Sequence, residues 1–294
     1  MIATQLLVNA AALGAAYALV AVGFVLVLNA TTAVNFAHGE TVVAGGFAAV
    51  AMASLLPPDI SVPGLILLPG VLAVSALLGL AIGALAYLPI RNRPPVSVFV
   101  TTIAVGIIIA NSLNAGFGAA PRSAPPLIGT GGFEFLGATI SRQSLAIIAT
   151  AAILIAALAW LLQRTQLGRQ FRACAQDPEM ARALGIQLTR ITLMAFALGT
   201  AFAGAAGLLL AHQFFVSASD GGVLILKAYI AVVIGGWGSL RGAAAGALLI
   251  AIFEVGIAAI ASQPVAEGAL YITVLLVLFV RPQGLFGEPQ QVRA

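Results

Sequence analysis

Apolar residues run through this chain in long blocks, with short polar punctuation between them. The blocks fall at about 5–28, 40–56, 64–90, 97–117, 143–163, 191–215, 223–236, 243–262 and 268–281. A run of about 20 apolar residues lets a helix cross roughly 30 Å of hydrocarbon. A membrane β-barrel would instead show alternating segments of about ten residues. The pattern therefore predicts an all-α fold, a polytopic transmembrane helical bundle of eight to nine spans with Gly-broken or re-entrant segments. The third block is long enough to tilt or break, and the seventh and ninth are short. The first block has no basic residues ahead of it and is long for a signal sequence, so it predicts a retained first span. Residues 1–294 read as a single transmembrane domain that includes a cytoplasmic loop at 164–190.

The longest polar interruption is Gly168-Arg-Gln-Phe-Arg-Ala-Cys-Ala-Gln-Asp-Pro-Glu-Met-Ala-Arg-Ala-Leu-Gly-Ile186. Asp177 is a good N-cap and Pro178 suits the first helical position. Gly185 is a natural stop in the left-handed conformation. A short helix from about Pro178 to Leu184 is predicted, with Met180, Ala183, Leu184 and Ile186 as its apolar positions. A passive loop obeying the positive-inside bias explains Arg164, Arg169 and Arg172 but not the caps. A capped, basic, amphipathic turn on the cytoplasmic side is instead a handle for a separate motor subunit.

Composition agrees with the pattern. The chain is 61% hydrophobic and 7% charged, against about 25% charged in soluble domains, so it cannot coat a water-soluble fold. Orientation follows the basic residues. With the island inside, Arg91, Arg93, Arg164, Arg169, Arg172, Arg182, Arg190, Arg241, Arg281 and Arg293 lie inside, and Arg122, Arg142 and Lys227 lie or border outside. That ten-to-three split puts the N-terminus outside and the C-terminus inside, and makes 118–142 the main external loop. The net charge of +4 is explained by orientation, not by nucleic acid. The lone Cys174 excludes an intrachain disulfide framework.

Few residues offer chemistry. Asn35, His38 and Glu40 form a polar turn between two apolar blocks. They read either as a gate on the pathway or as caps of the second helix. Gly235, Gly236 and Ser239 belong to a second turn, Gly235-Gly-Trp-Gly-Ser-Leu-Arg-Gly242, which lacks the ending of a P-loop. The two turns suggest a weak internal repeat around a central pathway, with Asn35 to Glu40 close to Gly235 to Gly242. Glu254 sits mid-block, and an ionisable group there is either functional or a buried interhelical hydrogen-bonding acid; the second reading is preferred, because a proton relay needs a chain of such groups. No metal is implied, since two His and scattered carboxylates make no ligand set. No nucleophile–base pair stands out, so no catalytic residue and no cofactor is expected.

Four motifs in order carry a resemblance: Asn35-Phe-Ala-His-Gly-Glu40, Gly168-Arg-Gln-Phe-Arg-Ala-Cys-Ala-Gln-Asp177, Gly235-Gly-Trp-Gly-Ser-Leu-Arg-Gly242 and Arg281-Pro-Gln-Gly-Leu-Phe-Gly287. Together they resemble the LivH-type permeases of bacterial branched-chain amino acid ABC importers, over essentially the whole chain. The resemblance implies a permease that is not itself an enzyme, in the bacterial inner membrane. It implies a LivM-type second permease, two cytoplasmic ATP-binding subunits, a periplasmic substrate-binding protein and a surrounding of membrane lipid. By the same resemblance, Gly168, Arg169, Arg172, Ala173, Asp177, Ala181 and Gly185 occupy the motif of the ATPase-coupling loop. Similar permeases serve urea, amides, other amino acids and aromatic acids, so the substrate stays open. An ion-coupled secondary transporter or channel would account for Glu254 and the Gly-broken spans, but not for the capped island.

Overall fold

The computed structural model describes residues 2–57, 63–129, 131–135 and 138–280. The fourth motif, 281–287, lies outside the described residues. The chain forms a nearly all-α bundle: α1 (Ile2–Thr31), α2 (His38–Ser54), α3 (Leu68–Ala81), α4 (Pro95–Phe117), α5 (Arg142–Arg164), α6 (Gln166–Gln176), α7 (Pro178–Ala183), α8 (Leu188–Ala211), α9 (Gly221–Gly235), α10 (Leu240–Ile260) and α11 (Gln263–Val280). Among the described residues, seven helical units are long and apolar enough to cross a membrane: Ala3–Thr31, Gly64–Ile90, Pro95–Phe117, Arg142–Arg164, Leu188–Ala211, Leu240–Ile260 and Gln263–Val280. The expected eight to nine spans thus become seven long helices plus two short ones, α2 and α9.

Small residues set the centre. The faces of α1 that meet α8 and α10 carry Ala12, Ala16, Ala18 and Ala21, all buried. Without bulky side chains, helix backbones approach closely, and dispersion replaces the hydrophobic drive that lipid removes. α1 and α8 form the buried core, and α3, α4, α5 and α11 stand around it with apolar faces outward. The third block does break. Its helix starts as a 3-10 turn at Gly64–Leu67, continues as α3, loosens into a π turn over Ile82–Tyr87 and ends as a 3-10 turn at Leu88–Ile90. Pro89 removes a backbone donor there, and π turns are common kink sites.

The loop at 118–142 is not wholly irregular. Gly132–Phe135 (β1) pairs antiparallel with Ala138–Ser141 (β2), Gly132 opposite Ser141. The prolines and glycines of this loop hid the short alternating segment Phe133-Glu-Phe. Arg122 and Val216 form a backbone bridge, with N–H···O distances of 2.9 and 2.8 Å.

The bundle has two distinct ends. At one, the Tyr87 hydroxyl donates to Thr31 O (3.3 Å), Arg91 Nη1 donates to Thr189 Oγ1 (2.8 Å) and Asn29 Nδ2 donates to Gly238 O (2.9 Å). At the other, Gly64 N–H donates to Pro126 O (2.8 Å), the His212 ring meets Ala124 O (2.9 Å) and Leu127 N–H donates to Gln143 Oε1 (2.9 Å). The first end collects Arg91, Arg93, Arg164, Arg169, Arg172, Arg182, Arg190 and Arg241. The second holds Arg122 and Arg142. Lys227 lies toward the second end but is buried inside the bundle, not exposed at its surface.

Candidate functional site

At the arginine-rich end, α6 folds back on the end of α5. Thr165 caps it, its hydroxyl accepting from Gly168 N–H (3.2 Å) and donating to Leu161 O (2.6 Å). Gly168 lies so close to the Leu162 backbone that a Cβ has no room. The Arg172 guanidinium donates to Leu162 O, an orphan carbonyl at a helix end. Phe171 and Cys174 face inward, and burial pushes the Cys174 thiol up, leaving less reactive thiolate. Arg172 is thus a structural tie, whereas Arg169 is exposed and Ala173 packs against the core.

α7 follows at once. Asp177 Oδ1 accepts from Glu179 N–H (3.0 Å) and Met180 N–H (2.9 Å), satisfying two orphan donors. The helix stops at Gly185, which has φ +82°. Ile186 N–H reaches Ala181 O and Gly185 N–H reaches Arg182 O, both at 3.0 Å. This is the crossed pattern of a left-handed helix stop. Ala181 is buried and holds α7 against the bundle. Ile186, expected on the outer apolar side, instead packs on the core. Met180 and Leu184 remain, 58% and 74% exposed. Two large apolar side chains thus project from a capped helix and its C-terminal cap, among arginines.

The polar turn sits elsewhere, within the bundle. Asn35 Oδ1 accepts from Ala37 N–H (3.1 Å), Phe36 N–H donates to Thr102 Oγ1 (3.2 Å) and His38 Nε2 lies 3.0 Å from Val20 O. None of Asn35, His38 and Glu40 caps α2 by its side chain: its N-cap is Ala37. Gly39 packs on the Gly221 carbonyl, and the Glu40 carboxyl fills the space beside Gly221. The first turns of α2 and α9 therefore meet inside the molecule with a carboxylate between them, the sign that helix N-termini favour. Asn35 Nδ2, His38 Nδ1 and Glu40 Oε2 are buried without a partner among the described residues.

Gly235 to Gly242 joins α9 to α10. Gly236 and Gly238 have φ of +105° and +79°, Gly235 and Gly242 touch backbone to backbone, and Ser239 Oγ accepts from Gly242 N–H (3.0 Å) to cap α10. The two turns are not brought together at Glu40. Gly39 and Glu40 meet the first residue of α9, and the glycine turn starts at its last, about 21 Å along the axis at 1.5 Å per residue.

Glu254 is 2% exposed and is not alone. Its Oε1 lies 2.8 Å from Lys227 Nζ and 2.5 Å from Gln263 Nε2, and its Oε2 accepts from the Tyr17 hydroxyl (3.3 Å). Lys227 Nζ also donates to Tyr17 Oη (3.0 Å) and lies 3.4 Å from Glu267 Oε1. Lys227, Tyr17, Gln263 and Glu267 were not singled out from the sequence. The signal for Lys227 was present, since a lysine inside an apolar block is as costly as Glu254 and each calls for the other. These groups form one wall of a cavity of about 680 Å³ at the Arg122 end, whose other walls include Leu6, Leu13, Val43, Leu210, Val223 and Val255. Among the described residues, no three His, Cys, Asp or Glu side chains converge as a metal site.

Long apolar helices, charge gathered at one end and an interior cavity define a multi-pass membrane protein of the transporter class. The family profile described as branched-chain amino acid transport system / permease component matches residues 6–280, and the chain belongs to that family. It is 30% identical over 296 residues to the high-affinity branched-chain amino acid transport system permease protein LivH of Salmonella typhimurium, covering 97% of this chain and 96% of that one. It is 31% identical to the BraD permease protein of Pseudomonas aeruginosa, with the same coverage. It is also 40% identical over 104 residues to the autoinducer 2 import permease protein LsrC of Escherichia coli, covering 34% of this chain and 30% of that one. No solved structure matches the chain.

Proposed function

We propose that the chain is a membrane-spanning permease subunit of an ATP-driven importer for branched-chain or related amino acids. The likeness to LivH and BraD over 97% of the chain supports the solute class. The partners are a LivM-type second permease, two cytoplasmic ATP-binding subunits that hydrolyse ATP, and a periplasmic substrate-binding protein. The mechanism is alternating access: the two permeases rock about a shared pathway, and ATP and the loaded binding protein supply the differential affinities that any such change requires. α2 and α9 are read as short crossings beside the seven long helices. Nine crossings place the N-terminus outside and the arginine-rich end in the cytoplasm, as the positive-inside bias asks.

The observation that carries the coupling assignment is α7, rigidly capped, with Met180 and Leu184 exposed among arginines. It fits a helix-in-groove contact with an ATPase. Gly168, Arg172, Asp177, Ala181 and Gly185 shape and seat the handle, and Arg169 faces the partner's rim. Met180→Asp/Leu184→Asp tests this. The importer should assemble in the membrane but lose most ATPase binding on purification. ATPase recovery equal to the parent's would remove the assignment. A second reading, import of an autoinducer 2-like solute, draws on LsrC, but that likeness reaches only 34% of the chain.

A further inference from the structure

We infer that the cavity beside Lys227 is a transient binding site for an aliphatic amino acid, with Glu267 receiving its ammonium group. This rests on the importer reading and adds where inside the subunit the solute pauses. The volume, about 680 Å³, lies within the roughly 300–1,000 Å³ of small-molecule sites. The cavity sits at the end bearing Arg122 and Arg142, between the start of α1, the end of α8, α9 and the α10–α11 turn. That is the end from which imported solute arrives.

Its lining has two chemistries. Leu13, Val43, Leu210, Val223 and Val255 offer an aliphatic wall. Opposite them stand Lys227, Glu254, Glu267, Tyr17 and Gln263, with Asp220 nearby. A purely apolar cavity would suit a lipid chain. A wall carrying one cation and three carboxylates suits a solute with both an ammonium and an apolar side chain.

The hydrogen bonds single out Glu267. Glu254 is saturated, Oε1 by Lys227 and Gln263 and Oε2 by Tyr17. Asp220 Oδ2 is engaged by Ser217 N–H at 2.8 Å. Glu267 makes only the long 3.4 Å contact with Lys227, and its side chain is 31% exposed. It can turn toward a ligand without breaking the buried pair. An ammonium arriving there gains a charge-assisted hydrogen bond, and its aliphatic chain buries against the opposite wall.

The test uses the complete importer in lipid nanodiscs without the binding protein, with Cys174→Ser and a reporter cysteine at Ala258, which lines the cavity. The rate of thiol labelling is followed with L-leucine, 3-methylbutylamine or 4-methylpentanoate present. Leucine and the amine should slow labelling several-fold and 4-methylpentanoate should not. Glu267→Gln should abolish that protection and leave the thermal unfolding midpoint unchanged; in sealed proteoliposomes with internal ATP and the binding protein outside, where uptake is measured, it should raise the KM more than it lowers the maximal rate. Equal protection by 4-methylpentanoate would mean an apolar occupant and overturn the inference, as would no protection by any probe. Amine protection in an importer that takes up no leucine would support the site and remove the importer reading. Leucine uptake without protection would remove only the site.

Discussion

At the residue scale, the buried pair of Lys227 and Glu254 is the most consequential contact in the bundle. Both side chains are nearly sealed from solvent. Removing one partner of such a pair costs about 3–5 kcal/mol, because the other is left charged and dry, while replacing both can be neutral. Lys227→Met should therefore lower the unfolding midpoint of the purified subunit sharply. The double variant Lys227→Met/Glu254→Met should recover most of the loss. A double variant no better than the single one would show that the pair does not act as a unit. Glu254 was legible alone because a carboxylate interrupts an apolar block. Lys227 was equally visible as a charge inside an apolar block, but their pairing was not read: they stand 27 positions apart, nothing in the residues between them links α9 to α10, and helix packing brings them together.

At the element scale, α7 and the α2–α9 junction behave differently under substitution. The α7 handle depends on local rules. Asp177→Ala removes a side-chain cap worth about 0.5–2 kcal/mol, and Gly185→Val forces a β-branched residue into positive φ. The pair should weaken ATPase retention on purification while membrane insertion stays normal. Full retention would mean that the helix is held by something other than its caps. The junction depends on tertiary contact. Gly39→Leu would drive a side chain into the Gly221 carbonyl, so it should reduce the yield of folded protein, measured by monodisperse elution in detergent. Caps are written in three or four neighbouring residues, so α7 could be read from the chain. The meeting of Gly39 with Gly221 joins residues 182 positions apart, so at Gly39 and Glu40 the polar turn meets the start of α9 and not the glycine turn at its end.

At the scale of the whole molecule, the charge pattern and the packing agree. Eight arginines of the described chain gather at the end bearing α6 and α7, and two lie at the opposite end. In a Cys174→Ser background, a cysteine at Ser123 should react with an impermeant reagent in intact cells, and one at Gln176 should not. The reverse would invert the orientation. The long blocks were legible because membrane thickness imposes a length on each crossing. The shortness of α9 was legible too, as the short seventh block; how the bundle accommodates it and α2 was not, because that depends on burial against neighbouring helices.

The central claim is that this subunit works in an ATP-driven importer of branched-chain or related amino acids. It is tested most directly by radiolabelled leucine uptake into proteoliposomes. These carry the subunit with its co-expressed partners, ATP inside and binding protein outside. The account predicts accumulation above the external concentration that requires both internal ATP and the binding protein, and that Met180→Asp/Leu184→Asp abolishes. Accumulation that persists without ATP and follows an imposed proton or sodium gradient would contradict it.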